Sequence, residues 1–139
     1  AMTIWKEPIR RMTAEFEKLY AAARAVVNPR VLSEYAEAGG VGAAIETDTG
    51  HIYTGVCIDT ACSMGFCAEH AAAAAMLTAG ENRIRRVIAV GAEGQVMPPC
   101  GRCREFLTAL AEGNRQARVM VDQGTELSLG ELLPWDWKA

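Results

Sequence analysis

The chain has 139 residues, half of them apolar and 22% charged, a length and composition that suit one packed core and exclude a disordered or fibrous protein. Fourteen Lys and Arg against seventeen Asp and Glu leave a formal charge of −3, so no overall field favours nucleic acid or anionic lipid, and a small molecule is the expected partner. The longest apolar stretch, Ala71 to Leu77, is too short to cross a bilayer, no export signal is recognisable, and the five cysteines lack the pattern of a disulfide framework, so a cytoplasmic chain with reduced or metal-bound thiols is expected.

In chain order, Ala1 ahead of Met2 reads as a cloning remnant and Trp5 as a side chain packed on the first helix. Phe16, Leu19, Tyr20, Ala23, Val26 and Val27 recur at helical spacing after Thr13, the expected N-cap, and Pro29 ends that helix. Val41 to Ile45 and Ile52 to Ile58 read as strands joined by a hairpin turn at Thr47-Asp48-Thr49-Gly50, with His51 an exposed polar residue beside it. Ala68 to Ala79 is a buried, Ala-rich helix stopped at Gly80. Arg83, Arg85 and Arg86 read as a solvated loop and strand edge, and Arg86 to Gly91 as a buried strand. Pro98-Pro99 stiffens a loop, Arg102 to Ala111 is a helix closed by Gly113, and Ala117 to Asp122 and Thr125 to Leu129 are strands. Gly130 to Leu133 is a short helical turn stopped by Pro134. Strands joined through helices predict parallel neighbours, so the expected fold is α/β with a mixed sheet, in a single domain over residues 1–139.

The chemistry is concentrated at two predicted helix starts. Cys67-Ala68-Glu69 opens one and Pro99-Cys100-Gly101-Arg102-Cys103 the other. There, free backbone N–H groups and the helix dipole favour thiolates. Cys100 and Cys103, three apart on one turn, face the same way. Two such helices side by side would gather three thiolates. Zinc held by three protein ligands keeps a fourth position for water, whereas a structural site closes with four. Glu69, two residues from a ligand, would then stand near that water as a proton carrier. Cys57 and Cys62 read as small buried or half-buried residues instead.

Cys-x-Glu joined to Pro-Cys-x-x-Cys is the pattern of zinc nucleobase deaminases. With Val41-Gly42-Ala43-Ala44, Tyr53-Thr54-Gly55-Val56 and Leu132-Leu133-Pro134 in the same order, nearly the whole chain resembles the cytidine deaminase family, especially its short three-cysteine branch. It is also similar to blasticidin S deaminases, which share Cys-Gly-Arg-Cys-Arg. The resemblance implies a three-layer α/β/α domain with a mixed five-stranded sheet, and Zn²⁺ on Cys67, Cys100 and Cys103. It further implies catalysis by Glu69, and a homotetramer whose neighbouring subunits complete each active site. It implies that the Ala68 amide meets the ring carbonyl of a pyrimidine nucleoside and the Pro99 carbonyl its amino group, in pyrimidine salvage. Where the family holds the ribose 3′-hydroxyl with Asn-x-Glu, this chain has Cys57-Ile58-Asp59, so a sugar contact falls to Asp59. Where the family has a stacking aromatic residue, it has Gly39, and Trp135 or Trp137 is the expected substitute. Arg104 is expected to offset thiolate charge, with His70 as a weaker helper.

Three readings compete with a cytidine deaminase. Cys-Gly-Arg-Cys has the spacing of a redox disulfide. A closed structural zinc site would take His70, His51 or Cys62 as fourth ligand. The altered sugar positions suit a modified nucleoside, a nucleoside antibiotic or a free base.

Overall fold

The computed structural model describes residues 12–139, so Ala1 and Trp5 lie outside the described residues. Helix α1 (Ala14–Val26) starts where the sequence places it: Thr13 has extended backbone, its side chain accepts the Phe16 N–H at 3.4 Å, and Glu15 and Glu17 occupy the first turn. Its buried face is Phe16, Leu19 and Ala23. Tyr20 packs beside them and donates from its hydroxyl to the Gly94 carbonyl at 2.5 Å.

The strands are β1 (Arg30–Ser33), β2 (Ala36–Thr47), β3 (Ile52–Thr60), β4 (Ile84–Gly91), β5 (Val96–Met97), β6 (Arg118–Asp122) and β7 (Thr125–Ser128). All five expected strands are among them. The two additions, β1 and β5, make one seven-stranded sheet in place of five. Every residue of β1 is exposed and β5 has only two residues, so neither carries the alternation by which a strand is recognised.

Strand β2 is the hub. One edge pairs antiparallel with β3, and the other meets β1 near Ala36–Ala38 and β4 from Val41 to Thr47. Helices α2 (Ala68–Thr78) and α3 (Gly101–Ala109) follow β3 and β5. The passage through α3 gives the expected parallel neighbours, β4 and β6. The passage through α2 does not, because β2 lies between β3 and β4.

The side-chain alternation of the strands divides the core into two. Ala44, Ile88, Val90 and Met120 meet α1. Ala43, Ile45, Val87, Ala89 and Val119 face the other way, toward Ala72, Ala73 and Met76 of α2 and Leu107 of α3. This is the expected three-layer arrangement. Helix α2 comes so close to β3 that a Cβ at Gly55 would overlap Ala71 and the backbone of Ala72, which explains both the glycine and the alanines. The alanine helix is nevertheless buried on one side only: Ala74, Ala75 and Leu77 are exposed.

Beyond α3 the chain makes a 3-10 turn (Glu112–Gln116), and Gly130 to Leu133 forms the expected short turn, closed by bonds from the Leu132 and Leu133 N–H groups to the carbonyls three residues before them. Of the basic trio, Arg86 pairs with Glu46 at 2.5 Å and Arg85 donates to the Asp48 carbonyl, so these arginines tie the start of β4 to the end of β2 and the turn that follows it. Among the described residues no helix is long and apolar enough to cross a membrane.

Candidate active site

Cys67 is the N-cap of α2 and Cys100 the N-cap of α3. Both have extended backbone, and neither sulfur makes a capping hydrogen bond. Cys103 lies in the first turn of α3 and is fully buried. The two helix starts bring the three sulfurs together: Cys67 Sγ is 3.4 Å from Cys100 Sγ, which is 3.7 Å from Cys103 Sγ, and all three lie within 4.8 Å of one another.

This donor set fits zinc. Four ligands placed tetrahedrally at about 2.3 Å put sulfurs about 3.8 Å apart, which is close to the observed spacing. Among the described residues the group has three members and no fourth side chain. Of the other candidates for a fourth place, His51 is engaged with Glu81 and Cys62 at the surface with Thr60, while His70 reaches one sulfur, Cys103, and stands outside the group. Cys62 is thus exposed rather than buried. A two-cysteine redox motif leaves the nearness of Cys67 unexplained.

The thiols answer their surroundings differently. Burial, then the neighbouring Cys100, pushes the Cys67 thiol up to about 11. Burial and the nearby Glu69 charge raise Cys103 strongly. Burial also opposes ionisation of Cys100, but the pull of the Cys103 and Arg102 N–H groups at the helix start and of the neighbouring thiols outweighs it and holds that thiol below its usual range. One sulfur therefore ionises easily and two await a cation.

Glu69, in the first turn of α2, is 5% exposed and has no ion-pair partner among the described residues. Burial raises its carboxyl above the ordinary range, against the pull of its own backbone N–H and Cys103. It lines a cavity of about 140 Å³ together with Val41, Cys57, Cys67, Ala68 and Cys100. A void of about that volume accepts a single six-membered ring.

The remaining expected residues divide. Cys57 and Ala68 line the cavity, the Cys57 sulfur accepting the Val41 N–H at 3.2 Å. Asp59 lines a neighbouring groove with Arg30 and Glu37 instead. The Pro99 carbonyl accepts the Arg104 Nε–H at 2.8 Å, and Arg104 Nη1 donates to the Leu132 carbonyl at 3.2 Å. Arg104 thus braces the loop and is not bonded to a sulfur. The side chain in contact with a sulfur is His70, whose Nδ1 is 3.2 Å from Cys103 Sγ. A long, flexible side chain finds backbone carbonyls that sequence spacing does not reveal.

Gly39 has φ +87° and lies against the Asn28 carbonyl, so no aromatic side chain can stand there. Trp135 is fully exposed, and Trp137 is 81% exposed with its Nε1–H donated to Glu105. Neither lines the cavity of its own chain. The sequence also gave no sign of Phe106, whose ring stacks on His70. Only its place three residues after Cys103 could have marked it.

No protein-family model matches the chain. Curated relatives do, among them the cytidine deaminases of Mycobacterium tuberculosis strains H37Rv and CDC 1551, each 34% identical over 96 residues that cover 68% of this chain and 69% of the relative. The crystal structure of the M. tuberculosis cytidine deaminase superposes with a TM-score of 0.75 at 27% identity, covering 90% of this chain and 98% of that one. That of Mycobacterium leprae gives 0.74 at 27%, covering 88% and 99%, and that of Burkholderia pseudomallei 0.72 at 29%, covering 91% and 100%. A shared fold, more than a quarter of the residues in common across most of its length, and three sulfurs beside a buried glutamate make this chain a member of the cytidine deaminase family.

Proposed function

We propose that this protein is a zinc-dependent hydrolytic deaminase of cytidine-like nucleosides, with Cys67, Cys100 and Cys103 as the metal ligands and Glu69 as the catalytic acid and base. The observation that carries the reading is the three-sulfur group with no fourth side chain, set beside a buried carboxyl that opens on a ring-sized cavity. When bound, zinc supplies a Lewis acid that brings the ionisation of water from a pKa of about 16 to about 7.

Glu69 does the proton work. It takes a proton from the attacking water and passes it to the ring nitrogen next to the amino-bearing carbon, which makes that carbon more electrophilic. Hydroxide adds there. Glu69 then takes the proton of the newly added hydroxyl and delivers it to the amine, the carbon–nitrogen bond breaks, ammonia leaves and a carbonyl remains. A carboxyl raised by burial suits this task, because it must hold the proton and also release it. The Ala68 N–H orients the ring carbonyl. The Pro99 carbonyl, steadied by Arg104, receives the substrate's amino group.

A second reading within the same chemistry, a modified nucleoside, a nucleoside antibiotic or a free base, is favoured by the sugar side of the cavity. Cys57 offers a sulfur already bonded to Val41, and Asp59 stands in the adjoining groove. The protein acts as one domain over residues 1–139, in the cytoplasm and in pyrimidine salvage, on a small molecule rather than on nucleic acid or a membrane. It assembles as a homotetramer whose neighbours complete each site. Exposed Val31, Tyr35, Met64, Trp135 and Trp137 support that assembly, since so much bare apolar surface suits burial between copies.

Ammonia release from the zinc-loaded chain tests the reading with cytidine, deoxycytidine, cytosine and amino-pyrimidine nucleoside antibiotics as substrates. Turnover of cytidine or deoxycytidine is expected. Turnover of an antibiotic or the free base alone would establish the second reading, and turnover of none would sink both.

A further inference from the structure

The three sulfurs have different neighbours. Cys67 and Cys100 have each other as neighbours, their sulfurs 3.4 Å apart, and neither makes a capping hydrogen bond. Cys103 is the fully buried member, and its nitrogen partner is a side chain, His70 Nδ1 at 3.2 Å. A metal-bound thiolate has no proton to give, so Nδ1 carries the hydrogen and donates it. The ring that carries it is held in place: it lies against Phe106 with centroids 4.3 Å apart and planes 11° apart. Phe106 stands three residues beyond Cys103 on α3, one turn along the same face. Each helix thus contributes to the other's work, α2 sending a donor to a sulfur of α3 and α3 sending a ring that fixes the donor. Of the arginines on α3, Arg104 is committed to the carbonyls of Pro99 and Leu132 and Arg102 to that of Gly65.

We propose that His70 is the positioning residue of the metal centre: its Nδ1–H, aligned by Phe106, fixes the Cys103 sulfur as a ligand and tightens zinc binding. The inference rests on the reading of the three sulfurs as zinc ligands and adds what holds the buried one in place. It assigns His70 a hydrogen bond and no net charge, a different device from a guanidinium beside a thiolate.

Three variants separate the donor from the ring. His70→Asn keeps an N–H near the position of Nδ1, His70→Phe keeps a stacked ring without a donor, and His70→Ala removes both. Each full-length chain is titrated with Zn²⁺ against a chromophoric chelator. Each is then loaded with Co²⁺ to record the sulfur-to-metal charge-transfer band, and melted without metal to report folding. The Phe and Ala variants are expected to bind Zn²⁺ about 10- to 100-fold more weakly with a shifted band, while the Asn variant stays within about threefold of the unaltered chain. If His70→Ala does not fold, the Phe and Asn variants decide the matter. Unaltered affinity and band in His70→Phe, or a loss in His70→Asn as large as in His70→Phe, would overturn the proposal. An unaltered chain that takes up no Zn²⁺ would instead sink the reading of the sulfurs themselves.

Discussion

Helix α2 has a carboxylate and a histidine at each end: Glu69 and His70 beside the sulfurs at its start, and Glu81 with His51 where it hands over to β4. The helix dipole places about half a positive charge at the first end and half a negative charge at the second, so it should lower Glu69 and raise Glu81. Both move the other way. Burial raises Glu69, which has few partners. Hydrogen bonds from Thr49 and Tyr53, with weaker help from His51 and Thr47, bring Glu81 down to about 2. Local donors and desolvation therefore outweigh the dipole at both ends. The contrast separates a carboxyl available for proton transfer from one used as a clasp: the first is short of partners and faces a cavity, while the second has so many that its proton is lost across the ordinary pH range.

The sharpest way to break this comparison is to remove each carboxylate's charge in turn. Glu69→Gln should lower ammonia release by at least about 10²- to 10⁴-fold, the usual contribution of a positioned acid and base. It should leave zinc content and folding in place, since no ion pair is lost. Comparable activity in Glu69→Gln and the unaltered chain would remove Glu69 from the chemistry. An equal loss in Glu81→Gln would erase the distinction between the two ends.

Metal removal comes next in size. A ligand that binds only the folded chain adds about 4 kcal/mol when present at a thousand times its dissociation constant. Stripping zinc with a chelator should therefore lower the melting temperature and abolish turnover, both restored by added Zn²⁺. Because the sulfurs lie at one end of α2, the same zinc-dependent increment is expected in Glu81→Gln. A melting temperature indifferent to zinc would argue that the cysteines do not hold it.

The two ends were not equally legible in the sequence. Cys-x-Glu and Pro-Cys-x-x-Cys declare themselves because each is confined to one helical turn, and only the meeting of two helix starts had to be inferred. The three-layer fold was readable for the same local reason, from hydrophobic periods and a Thr13 cap. The Glu81 clasp was not readable. Its partners lie 28 to 32 residues away across the hairpin, and His51 by itself looks like any exposed polar residue. Strand β1 escaped because all its residues are exposed, so pairing with β2 rather than burial defines it. That His70 rather than Arg104 contacts a sulfur depends on rotamers and on the stacked Phe106, which no spacing encodes.

The smallest expected effect sharpens the comparison at its far end. Glu81 is held to about 2, chiefly by Thr49 and then Tyr53, whereas an ordinary glutamate titrates near 4.3. A carboxyl whose pKa is depressed by folding stabilises the folded state above its unfolded value, and that contribution disappears as pH falls toward the folded value. The unaltered chain should therefore exceed Glu81→Gln in stability at neutral pH, and the gap should close between about pH 4.3 and pH 2. Urea midpoints measured across that interval report it. A gap independent of pH would mean that Glu81 acts through packing rather than charge. Ammonia release should be unchanged in this variant, because the clasp ties the β2–β3 turn to the end of α2 and touches neither sulfur nor cavity.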